Sequence, residues 1–290
     1  MIDFTLGKEL FNKFGGSELK TTILYDNTVY LVKYPDPVRE QNNTLSYMNN
    51  QFSEYIGSHI FAECGFTTQE TVLGYFNDME GNQKIVVGCK DFTQNGATLH
   101  EFAKFCNQTL TKKTDVTIET VNKVIATNPL IVDKIGAINS FWDTFVIDVL
   151  IGNSDRHLNN WGFINVDGNL SFSPIYDCGS SLAALLADDR MAELLQNWTD
   201  FKNVEFNITS CYYMNGKRIF YHEIFKNPPH DLQNAIKRTV PKIDLSKIGN
   251  IIDETPKISD IRKEYLKSAV LLRYEQILLP SFRRLEKEKS

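Results

Sequence analysis

The chain has 290 residues, 42% of them hydrophobic, enough to bury the core of one large domain or of two lobes. Its 31 basic and 36 acidic side chains leave a net charge of −5, which argues against a dominant electrostatic grip on nucleic acid while allowing a local basic patch. Five cysteines, at positions 64, 89, 106, 178 and 211, form no C-x-x-C pair and are odd in number, which favours reduced thiols in a cytosolic setting over a disulfide framework or a zinc site.

The opening MIDFTLGKELFNKF has no continuous apolar core of the signal-peptide kind, and no apolar run reaches membrane-spanning length. A cytoplasmic location is expected, with export as an effector lacking a cleavable signal left open. Next comes Lys13-Phe14-Gly15-Gly16-Ser17-Glu18-Leu19-Lys20, a glycine turn feeding two predicted strands, 21–25 and 28–33, around an Asp26-Asn27 turn. Paired glycines let a backbone approach phosphates, but the same residues make an ordinary surface turn. Lys33 closes the apolar run Val29-Tyr30-Leu31-Val32, where a lysine can bridge phosphates or simply end a strand in water. Residues 45–64 read as a helix with Phe52, Tyr55, Ile56 and Ile60 on one stripe. Glu54 lies off that stripe, with Gln51 a second polar position, and a solvated glutamate reads equally well there. Residues 71–75 and 84–89 are predicted strands around the loop 77–82.

From residue 98 the pattern turns helical, with segments at 98–106 and 116–126 and then a long helix ending at Gly152. After it stand Asn153-Ser154-Asp155-Arg156-His157-Leu158-Asn159-Asn160, then two strand-like runs, 161–166 and 170–175, around Asp167-Gly168. That pattern predicts a β-hairpin, which returns the residue leaving it, Asp177, close to the loop that enters it. A kinase needs an Asp to accept a hydroxyl proton, and an Asn and a second Asp to hold Mg²⁺ through hard oxygen atoms. Asn160 lies five residues after Asp155, and Asp177-Cys178-Gly179 supplies the Asp-x-Gly beyond the hairpin. Without those partners Asp155 would read as a turn or cap residue. Trp142, Trp161 and Phe163 read as core. Farther on, residues 182–195 are helix-compatible and 200–225 are mixed around an Asn215-Gly216 turn. Asn227-Pro228-Pro229 precedes helical runs at 230–239 and 258–279, and Pro280 is expected to end the last helix ahead of a frayed tail.

The run GNSDRHLNNWGF followed by PIYD resembles the catalytic core of the HipA-like serine/threonine kinases, whose motif is N-x-D-x-H-x-x-N followed by a Tyr-Asp pair. The resemblance spans 135–182 and continues, more thinly but in order, back to residue 10. It implies an α+β, two-lobed protein-kinase-like fold, with a small mostly β lobe over 1–95 and a mostly helical lobe over 96–290. It implies ATP and Mg²⁺ as cofactors, transfer to a Ser or Thr hydroxyl of a protein, and autophosphorylation. Asp155 is then the base, and Asn160 and Asp177 hold the metal. His157, the counterpart of the lysine near the transferred phosphate, serves there or shapes the loop. Lys33 becomes the ATP lysine and Glu54 its partner, while Gly15, Gly16 and Ser17 lie in the phosphate turn and residues 87–91 lead into the adenine link. Where the family has Gly-x-Gln-x-Lys, this chain has Gly16, Glu18 and Lys20, so direct phosphate contact from residue 18 is not carried over. The family's regulatory serine falls on Lys13, so self-inactivation through it is not carried over either. Two other readings remain: an ATP-binding pseudokinase, and a metal-dependent phosphoesterase built on the D-x-H of Asp155 and His157, which only five histidines serve poorly. No membrane span and no nucleic-acid partner are expected.

Overall fold

A computed structural model describes residues 1–11, 19–35, 49–106 and 116–288. The first strands are β1 (Ile2–Asp3), β2 (Lys8–Leu10), β3 (Lys20–Tyr25) and β4 (Thr28–Lys33), followed by α1 (Asn50–Glu63), β5 (Thr71–Asn77) and β6 (Gln83–Lys90). They form a six-stranded sheet in the order β1-β5-β6-β4-β3-β2, antiparallel apart from the short β1·β5 pair. Asp26 and Asn27 take φ of 45° and 58°, the left-handed pair of a two-residue hairpin turn whose twist suits the strands. That turn sets the register, Tyr25 opposite Thr28 and Lys20 opposite Lys33.

Strand alternation then divides the side chains. Val32 joins Phe4, Ile23, Tyr34 and Val86 on one face, while Leu31 joins Leu73, Val87 and Cys89 beneath Phe52 of α1 on the other. Lys33 is two residues beyond Leu31, so it shares the face that carries α1. The predicted helix at 45–64 is described from Asn50 onward, and its first residues lie outside the described ones.

The rest of the chain is β7 (Thr98–Glu101), α2 (Ile118–Thr127), α3 (Lys134–Ile151), the hairpin β8 (Gly162–Val166) and β9 (Asn169–Phe172), α4 (Asp188–Gln196), α5 (Trp198–Phe206), β10 (Thr209–Met214), β11 (Lys217–Phe220), α6 (Tyr221–Ile224), α7 (His230–Thr239), α8 (Leu245–Glu254), α9 (Asp260–Arg273) and α10 (Leu279–Lys287). Helix α3 is apolar on nearly every side, burying Phe141, Trp142, Phe145, Val146, Ile147, Val149 and Leu150. It packs against α2, α7, α9 and β9 and is the axis of the main core. Trp142, Trp161 and Phe163 are buried in that core.

Four expectations need correction. The helix expected at 98–106 is a strand followed by a 3-10 turn (Phe102–Phe105), because Thr98–Glu101 pair with β8 and the N–H groups of Phe102 and Ala103 donate to Trp161 and Leu158 carbonyls, both at 2.9 Å. The helix expected from 182 begins only at Asp188, since Leu182 and Ala183 both sit at φ 51°. Helix α8, which apolar spacing alone did not predict, is capped by Asp244 and buries Ile248 and Ile252. Pro280 does not end the final helix. A π-helical turn at Tyr274–Leu278 precedes it, and α10 continues with Pro280 in its first turn, where a missing N–H costs little. The 283–288 tail is helical and tied down by Arg284, which donates to Phe225 O at 2.8 Å.

Candidate active site

Lys33 ends β4 beneath α1 and is buried. Its Nζ lies 2.9 Å from Glu54 Oε2 and 2.7 Å from Asp177 Oδ1, which ties the sheet to α1 and to the segment leaving the β8–β9 hairpin. The other Glu54 oxygen accepts the Cys178 backbone N–H at 3.0 Å, so one carboxylate fixes both the lysine and the Asp-Cys-Gly turn. This close approach depends on a glycine. A Cβ at Gly57, one turn along α1, would stand 2.8 Å from Cys178 Cβ. Gln51, the other polar position on α1, is buried with its Oε1 unpartnered. Lys20 is the direct cross-strand neighbour of Lys33 and shares its face.

The polar loop hangs from the end of α3. Gly152 takes φ 65°, the left-handed conformation that closes a helix, and the N–H of Asn153 donates to Asp148 O at 2.8 Å. Asp155 donates its N–H to Asn153 Oδ1 at 3.1 Å, and its carbonyl accepts Asn160 Nδ2 at 2.8 Å. With the amide nitrogen so engaged, the amide oxygen of Asn160 is the atom suited to a metal. His157 closes a tight turn, its N–H donating to Asp155 O at 2.8 Å, and its Nδ1 accepts the Asn159 N–H at 3.3 Å, a loop-shaping role for one ring nitrogen.

Arg156 joins the two halves of this arrangement. It is buried, and it grips Asp148 of α3 through Nε and Nη2 at 3.1 and 3.0 Å. Its Nη1 donates to the carbonyls of Asn160 (3.1 Å), Asp177 (3.3 Å) and Tyr176. The loop holding Asp155 and Asn160 is thereby bound to the backbone of Asp177. Asn153 Nδ2 gives Asp148 a further bond at 2.9 Å, and the Tyr212 hydroxyl donates to Arg156 O at 2.7 Å. Sequence reading passed over Arg156, Asp148 and Tyr212. An arginine directly after the loop Asp, with an acid eight residues before it on an apolar helix, is the signal that could have found the first two.

Burial alone would raise the Asp177 carboxyl, but the Lys33 ammonium against it, helped by Arg156, holds it below the usual carboxylate range. It is therefore anionic, the form a metal ligand needs. Burial pushes the Cys178 thiol up to about 12, so it is neutral and packs as a small apolar group. Lys13, Gly15, Gly16, Ser17 and Glu18 lie outside the described residues. In the expected adenine link, Lys90 and Asp91 give their N–H groups to Glu70 and Val29 carbonyls at 2.9 and 2.8 Å, and Lys90 O accepts Gln69 Nε2. Their backbone is committed to the protein, and the link proper runs over 92–97.

An anionic carboxylate, an amide oxygen and a buried lysine make a donor set that fits Mg²⁺ and phosphate. A model of the HipA-like C-terminal domain family matches residues 13–242. The serine/threonine-protein kinase CtkA of Helicobacter pylori is 34% identical over 287 residues, which span 96% of this chain and 86% of that protein. The crystal structure of H. pylori proinflammatory kinase CtkA is similar with a TM-score of 0.91 at 33% identity, covering 100% of this chain and 99% of that one. HipA of Shewanella oneidensis MR-1, solved with HipB and operator DNA, is similar in fold, with a TM-score of 0.55 at 14% identity over 93% of this chain and 67% of that one.

Proposed function

The chain belongs to the HipA-like C-terminal domain family and is a serine/threonine-protein kinase, and from that premise we propose that it transfers the γ-phosphate of ATP, with Mg²⁺, to serine or threonine hydroxyls of proteins, itself included. The observation that carries this reading is Lys33 held between Glu54 and Asp177, with the Asp155 loop bound to Asp177 by Arg156.

In this reading residues 1–95 form one lobe and 96–290 the other, with the nucleotide between them. Lys33 binds phosphate oxygens as a point charge, oriented by Glu54. Asn160 and Asp177 hold the metal, which when bound offsets the charge of the transferred group. Asp155 takes the proton from the acceptor hydroxyl, and His157 shapes the loop around it. Gly15, Gly16 and Ser17 cover the phosphates through backbone N–H groups. None of the helices in the described residues is long and apolar enough to cross a membrane.

The test is transfer of ³²P from γ-labelled ATP to a degenerate serine/threonine peptide library. Asp155→Asn should lose about 10²–10⁴-fold in rate while keeping its circular dichroism and ATP affinity. Near-wild-type turnover by that variant would remove Asp155 from the role of base, and no labelled product from the unsubstituted chain would leave a nucleotide-binding module instead of a kinase.

A further inference from the structure

The family match ends at residue 242, yet α8 and α9 beyond it touch the parts of the site that precede it. Helix α8 packs on α1, and Lys247 Nζ lies 2.7 Å from Glu63 at the last residue of α1. Ile258, between α8 and α9, packs into the cluster of Leu31, Phe52, Leu73 and Val87, whose members lie two residues from Lys33 on β4 and from Glu54 on α1.

At the start of α9, Arg262 is buried, with Nε 3.0 Å from Asp188 Oδ1 and Nη2 2.6 Å from Leu186 O. Ser259 Oγ donates to the other Asp188 oxygen at 2.6 Å. The segment gripped in this way follows directly from Asp177. It contains Leu182 and Ala183, two successive non-glycine residues at φ 51°, a conformation that costs energy and persists only where its surroundings impose it. Two residues before Leu186, Ala184 O accepts the N–H of Asn49, the residue that opens α1, at 2.8 Å. A continuous series of bonds therefore runs from Arg262 through 184–188 to the start of α1, one turn before Glu54.

We infer that α8 and α9 form a positioning element for phosphoryl transfer, with Arg262 holding Glu54 on Lys33 through the 182–188 segment. The inference rests on the kinase reading. A planar guanidinium suits the task because its fixed fork meets a carboxylate and a carbonyl together. The site thus takes its alignment from helices on the same chain.

The experiment is a double-mutant cycle in the full chain, read as ³²P transfer to the degenerate peptide library. Arg262→Met should lower kcat by about tenfold in the wild-type background and by about twofold or less in Glu54→Gln, because residues in one bonded network are non-additive. Its effect on melting temperature should be the same in both backgrounds. An equal fold-loss of kcat in the two backgrounds would overturn the inference and leave Arg262 a general stability residue. If Arg262→Met does not fold, the exposed pair Ser259→Ala and Lys247→Met takes its place in the cycle under the same criterion. No transfer by the unsubstituted chain would overturn the kinase reading and this inference together, whereas equal losses overturn the inference alone.

Discussion

Arg156→Met would leave Asp148 buried with only the Asn153 amide to face it. An uncompensated buried charge costs about 3–5 kcal/mol, so the variant should unfold at markedly lower urea concentration. Asp148→Leu combined with Arg156→Met should recover much of that stability and none of the transfer, because the carbonyls of Asn160, Tyr176 and Asp177 still lack their donor. Urea midpoints and ³²P transfer on the single and double variants separate the two effects. The two lysines should also part company: in calorimetric titration Lys33→Ala should weaken ATP binding more than Lys20→Ala, since Lys33 alone is shown bound to both Glu54 and Asp177. Asp177 adds a pH dependence. Its folded carboxyl titrates below the ordinary 3.8, so the Lys33 pair stabilises the fold above about pH 4 and is lost as pH falls through the lower folded value. Melting temperature should therefore fall more steeply below about pH 4 in the wild type than in Asp177→Asn. Parallel acid limbs would rule the pair out as a source of stability.

At the level of elements, α1 is the part whose placement decides most. Gly57→Ala would set a methyl group against Cys178, and overpacking of this kind costs about 1–3 kcal/mol. The cheapest relief is for α1 to lift, which withdraws Glu54 from Lys33, so transfer should fall by more than the loss of folded protein explains. Calorimetry beside initial rates would show it. The elements readable in the sequence are those with local rules: the Asp26-Asn27 and Asp167-Gly168 turns, the Gly152 stop, and α7 after its two prolines. Strand β7 is not readable, because its partner is β8, more than sixty residues away, and pairing overrode the helical pattern of Thr98–Glu101. Residues 182–187 are not readable for the same kind of reason, since their shape is imposed by the bonds from Asn49 and Arg262.

For the molecule as a whole, the expected signature is coupling between metal and nucleotide. ATP with Mg²⁺ should raise the melting temperature more than ATP with EDTA, and Asp177→Asn should shrink the Mg²⁺-dependent part while Asp155→Asn keeps most of it. An Asp177→Asn protein that melts early without ligand yet keeps the full Mg²⁺ increment would mark that residue as structural. The charged and amide residues at the centre were legible because their chemistry dictates spacing within one loop and hairpin. The network around them was not, because Arg156, Asp148 and Tyr212 meet only once α3, the hairpin and β10 are packed. The turn at Tyr274–Leu278 has a consequence of another sort. A π-turn holds one residue more than the α-turn it replaces, and each residue of an α-helix turns the chain by about 100°. Deleting one residue there would swing α10 by that angle, carrying Leu285 out of the core and Arg284 away from Phe225 O. Between α9 and α10 the chain is tuned by length, so a one-residue deletion should do more harm there than most substitutions.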